Sequence, residues 1–315
     1  MADEEIIQDG SEEHPWLVSN YSELKNLYKT ATSGDYAKLT ADINCNEQCP
    51  DGWTTVYLNF NLDLDGHQIV APSIKDGNKL FHPYISDDDG GYVSAIRRVY
   101  NGYILNIFEN FSGVGDICGM FYKYNYSAGT ARRAIRFEDM GISMYLRNKC
   151  NFYTCGFYRC TVEINGVLKY NDSSSFFREV HDSDGYRCNA EDSRFILNYS
   201  APLNGTRLGY LFSYGYTKKR INRCRFEGKV DNFNLCSNSE NQIGYENDGS
   251  IVNSIILVES NDSYRWGYSC YNSCIISDKC KSFIVSGDDA IVMSDEDIKS
   301  FDSVNNAGFA TVKVN

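Results

Sequence analysis

Gly244-Tyr245-Glu246-Asn247-Asp248-Gly249-Ser250-Ile251-Val252-Asn253-Ser254-Ile255-Ile256-Leu257-Val258 decides how the chain is read. It holds a glycine–aromatic corner, a polar turn, an asparagine and a short β-branched strand. The same order stands upstream as Gly215-Tyr216 and then Ile221-Asn222-Arg223-Cys224-Arg225-Phe226. It stands downstream as Gly267-Tyr268 and then Tyr271-Asn272-Ser273-Cys274-Ile275-Ile276. Asn222, Asn253 and Asn272 recur at roughly twenty to thirty residues, the spacing of a repeat architecture. Each unit has too few apolar residues for a core of its own, so units must stack to bury one. Gly, Asn, Ser and Asp tolerate the positive φ of sharp corners. Gly215, Asn222, Gly244, Asn253, Gly267 and Asn272 are therefore read as the corners that define the fold. The asparagine amides are expected to stack from coil to coil. A set of antiparallel hairpins is the competing reading.

Composition narrows the function. Of 315 residues, 42% are hydrophobic, enough for a substantial core, and 24 Tyr and 17 Phe stand against only 5 Pro. The net charge of −12 argues against binding a phosphate backbone and against docking on anionic lipid. No stretch is long and apolar enough to span a membrane as a helix. The first residues, Met1-Ala2-Asp3-Glu4-Glu5, lack the positive and apolar regions of a secretory signal. The expectation is a chain that folds in a cytosol.

Twelve cysteines invite a disulfide reading, which a reducing compartment opposes. Cys155, Cys160, Cys224, Cys274 and Cys280 lie in strand-like runs, as small buried hydrophobes do. Cys45 and Cys49 are expected to be free thiols. Cys270, Cys274 and Cys280 lack zinc-site spacing. His14, His67, His82 and His181 lack metal-ligand spacing, and no phosphate-binding glycine loop occurs. No cofactor and no metal is expected.

In chain order, residues 1–14 form an acidic arm, read as a solvated tail or as a segment that orders against a basic partner. Asn20-Tyr21-Ser22-Glu23 has the form of a capping box, and Leu24, Leu27 and Tyr28 follow at helical spacing. This short helix is expected to cover one open end of the stack. Tyr36–Asn44 and Leu58–Val70 alternate apolar and polar residues as half-buried strands do, with Asp65-Gly66 as a turn. The helix, the run Tyr36-Ala37-Lys38-Leu39-Thr40-Ala41-Asp42-Ile43-Asn44, a Trp loop and Leu62-Asp63-Leu64-Asp65-Gly66-His67-Gln68-Ile69 together resemble the opening of a right-handed parallel β-helix. The type is pectin-lyase-like, with GLUG-like repeats. Leu80-Phe81, Gly119-Met120-Phe121 and Gly156-Phe157-Tyr158 would be counterparts of the Gly-Phe corners of that family.

Residues 103–108, 134–137, 142–146, 161–164 and 194–197 read as further strands. Polar insertions at 86–91, 171–175 and 181–185 are expected on one face, often the binding face of a solenoid. Ser294-Asp295-Glu296-Asp297 opens a second short helix. The expected organisation is an arm over 1–14, an all-β single-stranded right-handed parallel β-helix with its first capping helix over 15–292, and a C-terminal cap over 293–315. At about 4.8 Å per coil it would be a rod.

The resemblance also implies chemistry, because many pectin-lyase-like proteins cleave polysaccharides with paired carboxylates. Asp182 with Asp184, and Asp288 with Asp289, are the weak catalytic candidates. Glu138 and Asp139 are adjacent, so on a strand they would face opposite ways. Abundant Tyr beside Asn and Asp suits a sugar-binding surface, though packing ladders are the favoured reading of the tyrosines.

The first expectation is a structural or receptor-binding component of a bacteriophage virion, made in the host cytoplasm: a tail spike, fibre or capsid-surface appendage. By family analogy it would be a homotrimer. The arm would contact other virion proteins and the body a host surface glycan, without nucleic acid or membrane insertion. A glycan depolymerase on the same fold and a bacterial surface adhesin are the alternatives.

Overall fold

The structure, a computed structural model, describes residues 8–75, 77–84, 95–110, 115–118, 133–146, 150–153, 155–167, 175–178, 189–200, 210–213, 220–231, 234–236, 250–252, 254–260, 266–271, 274–277, 283–286 and 290–293. Its strands stack in three parallel ladders. The first runs through Trp16–Val18, Tyr36–Leu39, Asn61–Asp63, the first halves of Ala95–Asn110 and Arg133–Leu146, then Cys155–Tyr158, Asn189–Glu191, Arg220–Asn222, Ser250–Val252, Trp266–Tyr271 and Phe283–Ser286. The second holds Ile43–Asn44, Gln68–Val70, the second halves of the two long strands, then Thr161–Val167, Arg194–Ser200, Arg225–Asp231, Ile255–Ser260, Cys274–Ser277 and Ala290–Met293. The third is a separate sheet of Val56–Leu58, Phe81–Pro83, Gly115–Cys118, Cys150–Tyr153, Ser175–Arg178, Tyr210–Ser213 and Asn234–Cys236. From Cys150 to Cys236 the chain visits third, first and second ladder in strict rotation. The antiparallel hairpins of the competing reading are not what these strands form.

Alternation builds the core. Arg194–Ser200 runs half-buried, buried, half-buried, buried along its first four residues. Val162, Phe195, Phe226 and Ile256 then fall in register, one above the next, all fully buried. The rings of Phe195 and Phe226 stack with centroids 5.0 Å apart, and those of Phe137 and Phe157 at 5.4 Å. Removing a ring of this size from water contributes roughly 1.5–3 kcal/mol. Parallel in-register stacking lets each ring cover the next.

Two-residue corners separate the first ladder from the second. The leading corner residues Asp139, Arg159, Asp192 and Arg223 have φ of 53°, 53°, 50° and 50°. That left-handed conformation turns the chain without a glycine. The residues behind three of them, Cys160, Ser193 and Cys224, are buried, as is Ser254 farther along. A corner amide cannot join either ladder, so it needs another acceptor. Cys160 N–H donates to Ser193 Oγ at 3.1 Å, and Cys224 N–H to Ser254 Oγ at 3.1 Å. A hydroxyl from the next rung thus satisfies the amide of the one before.

The helix Tyr21–Asn26 begins where the sequence places it. Asn20 caps it by accepting from Glu23 N–H. The reciprocal half differs from a capping box: Glu23 accepts from Ser19 N–H at 2.7 Å, one residue earlier than expected. Tyr21 lies 4.8 Å from the Trp53 ring, which is buried and donates to Leu80 O. Cys45 and Cys49 are buried free thiols, as are Cys155, Cys160 and Cys224. Gln8–His14 does not trail in solvent. Gly10 N–H bonds His14 O, Tyr36 N–H bonds Gly10 O at 2.8 Å, and Leu17 N–H bonds the Gln8 side chain. Residues 1–7 of the expected arm and 294–315 of the expected cap lie outside the described residues.

Register revises two sequence alignments. Asn222 pairs with Val252, and Val252 with Tyr271. Arg223, the next residue, holds the left-handed corner. Phe81 lies in a strand of the third ladder and Phe157 in a strand of the first, so the two Gly-Phe-like sequences are strand residues on different ladders and not equivalent corners.

Candidate functional site

The outer face of the first ladder gathers charge and aromatic rings. Val99, Phe137 and Phe157 point inward and are buried, so their neighbours point out. One outward column runs in register through Lys38, Asp63, Tyr100, Glu138, Tyr158 and Glu191. Two residues earlier on the same strands, Arg98, Arg136 and Gly156 align.

Glu138 sits at the centre with only 4% of its surface exposed. Arg98 Nη2 donates to Glu138 Oε2 at 2.8 Å, and Arg136 Nε pairs with Oε1. Arg159 Nη2 stands 4.0 Å from the same carboxylate. A buried carboxylate persists because these guanidiniums replace its hydration. Each of two arginines also lies over a tyrosine: Arg98 over Tyr100 at 4.6 Å, and Arg136 over Tyr158 at 3.8 Å. Gly156 makes room for this. A Cβ there would meet the Tyr158 ring at 2.9 Å.

The corner column continues the pattern. Arg159 clamps Asp139 with two bonds, Nε at 2.7 Å and Nη2 at 2.8 Å. Arg223 clamps Asp192 at 2.6 and 2.8 Å and adds Glu191 at 2.9 Å. The Arg159 bonds, against some burial, hold the Asp139 carboxyl below its ordinary range. The Asp192 bonds raise the Arg223 guanidinium, and the Glu138 bond raises that of Arg98. The sequence expectation that Glu138 and Asp139 diverge is corrected here. Asp139 is not an ordinary strand residue but has φ of 53°, so both carboxylates reach Arg159.

Toward the N-terminal end the face meets a cleft of about 380 Å³. Tyr36, Lys38, Asp63 and Tyr100 floor it, and Glu12, Glu13, His14 and Pro15 wall it. Burial, then the Asp63 charge, pushes the Tyr100 hydroxyl up to about 12. Trp16 Nε1 and Thr32 hydrogen-bond to Asp35 beside Tyr36, which fixes the base of the arm.

Asp182, Asp184, Asp288 and Asp289 lie outside the described residues, as do Gly215, Gly244, Asn253 and Asn272. Asn222 ends the strand Arg220–Asn222, and Gly267 lies within Trp266–Tyr271. Among the described residues no group of three His, Cys, Asp or Glu side chains is placed to hold a metal. No helix among them is long and apolar enough to cross a membrane. His67 Nδ1 lies 3.0 Å from Asp42, which also accepts from Gln68. Sequence reading missed Arg98, Arg136 and Tyr100. Their signal is an arginine two places before Tyr100 and another two places before Glu138, legible only once the strands are in register.

No family model matches the chain, and no curated protein matches it. One solved structure, described as "a putative immunoglobulin A1 protease from Bacteroides ovatus", is similar at a TM-score of 0.44 and 13% identity, over 95% of this chain and 90% of that one. A likeness at that level carries no argument about activity.

Proposed function

We propose that the three ladders are the walls of one single-stranded right-handed parallel β-helix, and that this rod is a receptor-binding structural component whose outer face holds a glycan. The rotation of third, first and second ladder supports the coil. The setting we propose is a bacteriophage appendage, a homotrimeric spike or fibre. It follows from the resemblance of the opening motifs. The observation that carries the binding role is the open cleft whose floor joins Tyr36 and Tyr100 to Lys38 and Asp63. Aromatic faces beside charged and amide groups suit sugar rings edged with hydroxyls. At the corners alone, binding is favoured over hydrolysis, because Asp139 and Asp192 are engaged by guanidinium forks. Glycoside hydrolysis instead needs one carboxyl kept protonated.

A glycan array probed with the purified chain tests this reading. Retained glycans that Tyr100→Ala and Asp63→Asn release would support it. An array without hits, or hits indifferent to both changes, would remove it. Sedimentation equilibrium checks the assembly: three times 35.7 kDa fits a spike, and a monomer does not.

A further inference from the structure

We infer that the glycan is acidic, and that its carboxylate or sulfate group docks on the pair of arginines Arg98 and Arg136. This inference rests on the glycan reading above and specifies the class of sugar. The chain is acidic overall, at −12, yet this stretch of the face is not. Three guanidiniums, Arg98, Arg136 and Arg159, converge on two carboxylates, Glu138 and Asp139. Asp139 is fully occupied by Arg159, and Glu138 is shared between Arg98 and Arg136. The carboxylates lie at different depths. Glu138 is 6% exposed at its side chain, whereas the three arginines are 38%, 42% and 49% exposed. At Arg98 and Arg136 the Glu138 charge therefore sits beneath and guanidinium surface faces the solvent, whereas Asp139, 50% exposed, meets Arg159 at the surface.

Arginine suits this role because its planar fork matches a carboxylate or sulfate at two atoms. The rings beneath Arg98 and Arg136 hold the two planes in place before any ligand arrives, which lowers the ordering cost of binding. The spacing also fits a chain of sugars. Arg98 and Arg136 are on paired strands, about 4.8 Å apart, comparable to the length of one pyranose. The polarity is set by the neighbouring cleft. Glu12, Glu13 and Asp63 outnumber Lys38 there, so the neutral part of the glycan lies in that cleft beside Tyr100 and its acidic group lies on the arginines.

An array that prints uronate, sialylated and sulfated glycans beside their neutral parents separates the possibilities. It is probed with the wild type, Arg136→Ala, Arg136→Lys and Tyr100→Ala, each checked for native far-ultraviolet circular dichroism. The expected result is hits among the acidic members only, weakened at least about tenfold by Arg136→Ala. Arg136→Lys keeps the charge but not the fork, and is expected to restore only part of the binding. Neutral hits that Tyr100→Ala abolishes and Arg136→Ala leaves intact would overturn the inference and spare the glycan reading. Acidic hits untouched by Arg136→Ala would overturn the assigned site. Retention of poly-glutamate in place of every acidic glycan would overturn the sugar class and point to an acidic protein partner. No hits on any glycan would remove both readings.

Discussion

Arg159 grips Asp139 across one rung with two bonds, at 2.7 and 2.8 Å, and both residues hold the same left-handed corner with φ of 53°. The fork offsets part of the backbone cost of placing non-glycine residues there, about 1 kcal/mol each. Arg159→Gly and Arg159→Ala both lose the fork, but only the alanine keeps the strain. Alanine is expected to be the less stable of the two by about 1 kcal/mol in urea unfolding. Equal stabilities would mean that the corner is not strained.

The same pair sets a pH dependence. The folded Asp139 carboxyl is held below its ordinary 3.8. A depressed folded value means that the unfolded chain takes up its proton first as pH falls. The contribution is therefore complete above the unfolded value and disappears as pH drops through the folded one. Both groups are about half exposed, so the contribution stays below about 1 kcal/mol. Unfolding of the wild type and Asp139→Asn is expected to differ by a constant amount above pH 5 and to converge below 3.8. A difference that grows on acidification would contradict this.

Ser193 tests the corner bridges. Its hydroxyl accepts from the buried Cys160 amide and donates to Glu191 O. Ser193→Ala leaves that amide without an acceptor, at a cost of about 1–3 kcal/mol. Thermal unfolding should show the loss, and hydrogen exchange should localise it to the Cys160 amide. Unchanged protection there would refute the bridge.

Gly228 marks a close approach of two rungs. It has φ of +117°, and a Cβ would lie 2.1 Å from Leu197 O. Gly34, at φ of +99°, has open space around its missing Cβ. Gly34→Ala is expected to lose about 1 kcal/mol from backbone strain alone. Gly228→Ala should lose more than about 2 kcal/mol, because a backbone carbonyl must move. Similar melting temperatures for the two variants would contradict the close approach.

Much of the fold was legible, because the alternation that builds one strand also builds its stacked neighbour. Leu62, Phe137 and Phe226 announce themselves as core by their polar flanks. The corners were harder. Asn222 looked equivalent to Asn253 because asparagine favours left-handed backbone, yet Arg223 takes that conformation. A paired Asp192 makes it acceptable, and no local rule predicts an arginine there. The candidate site was less legible still. Arg98 and Glu138 are 40 residues apart and meet only because their strands are stacked. Glu138 and Asp139 read as diverging for lack of the corner between them.

The most direct test of the central claim is the affinity of the purified chain for its best array glycan, measured by titration calorimetry with wild type and Tyr100→Ala. The account predicts saturable binding by the wild type and at least about a tenfold loss on removing the Tyr100 ring. Binding of equal strength by a correctly folded Tyr100→Ala would contradict it, and would place the receptor surface away from this face.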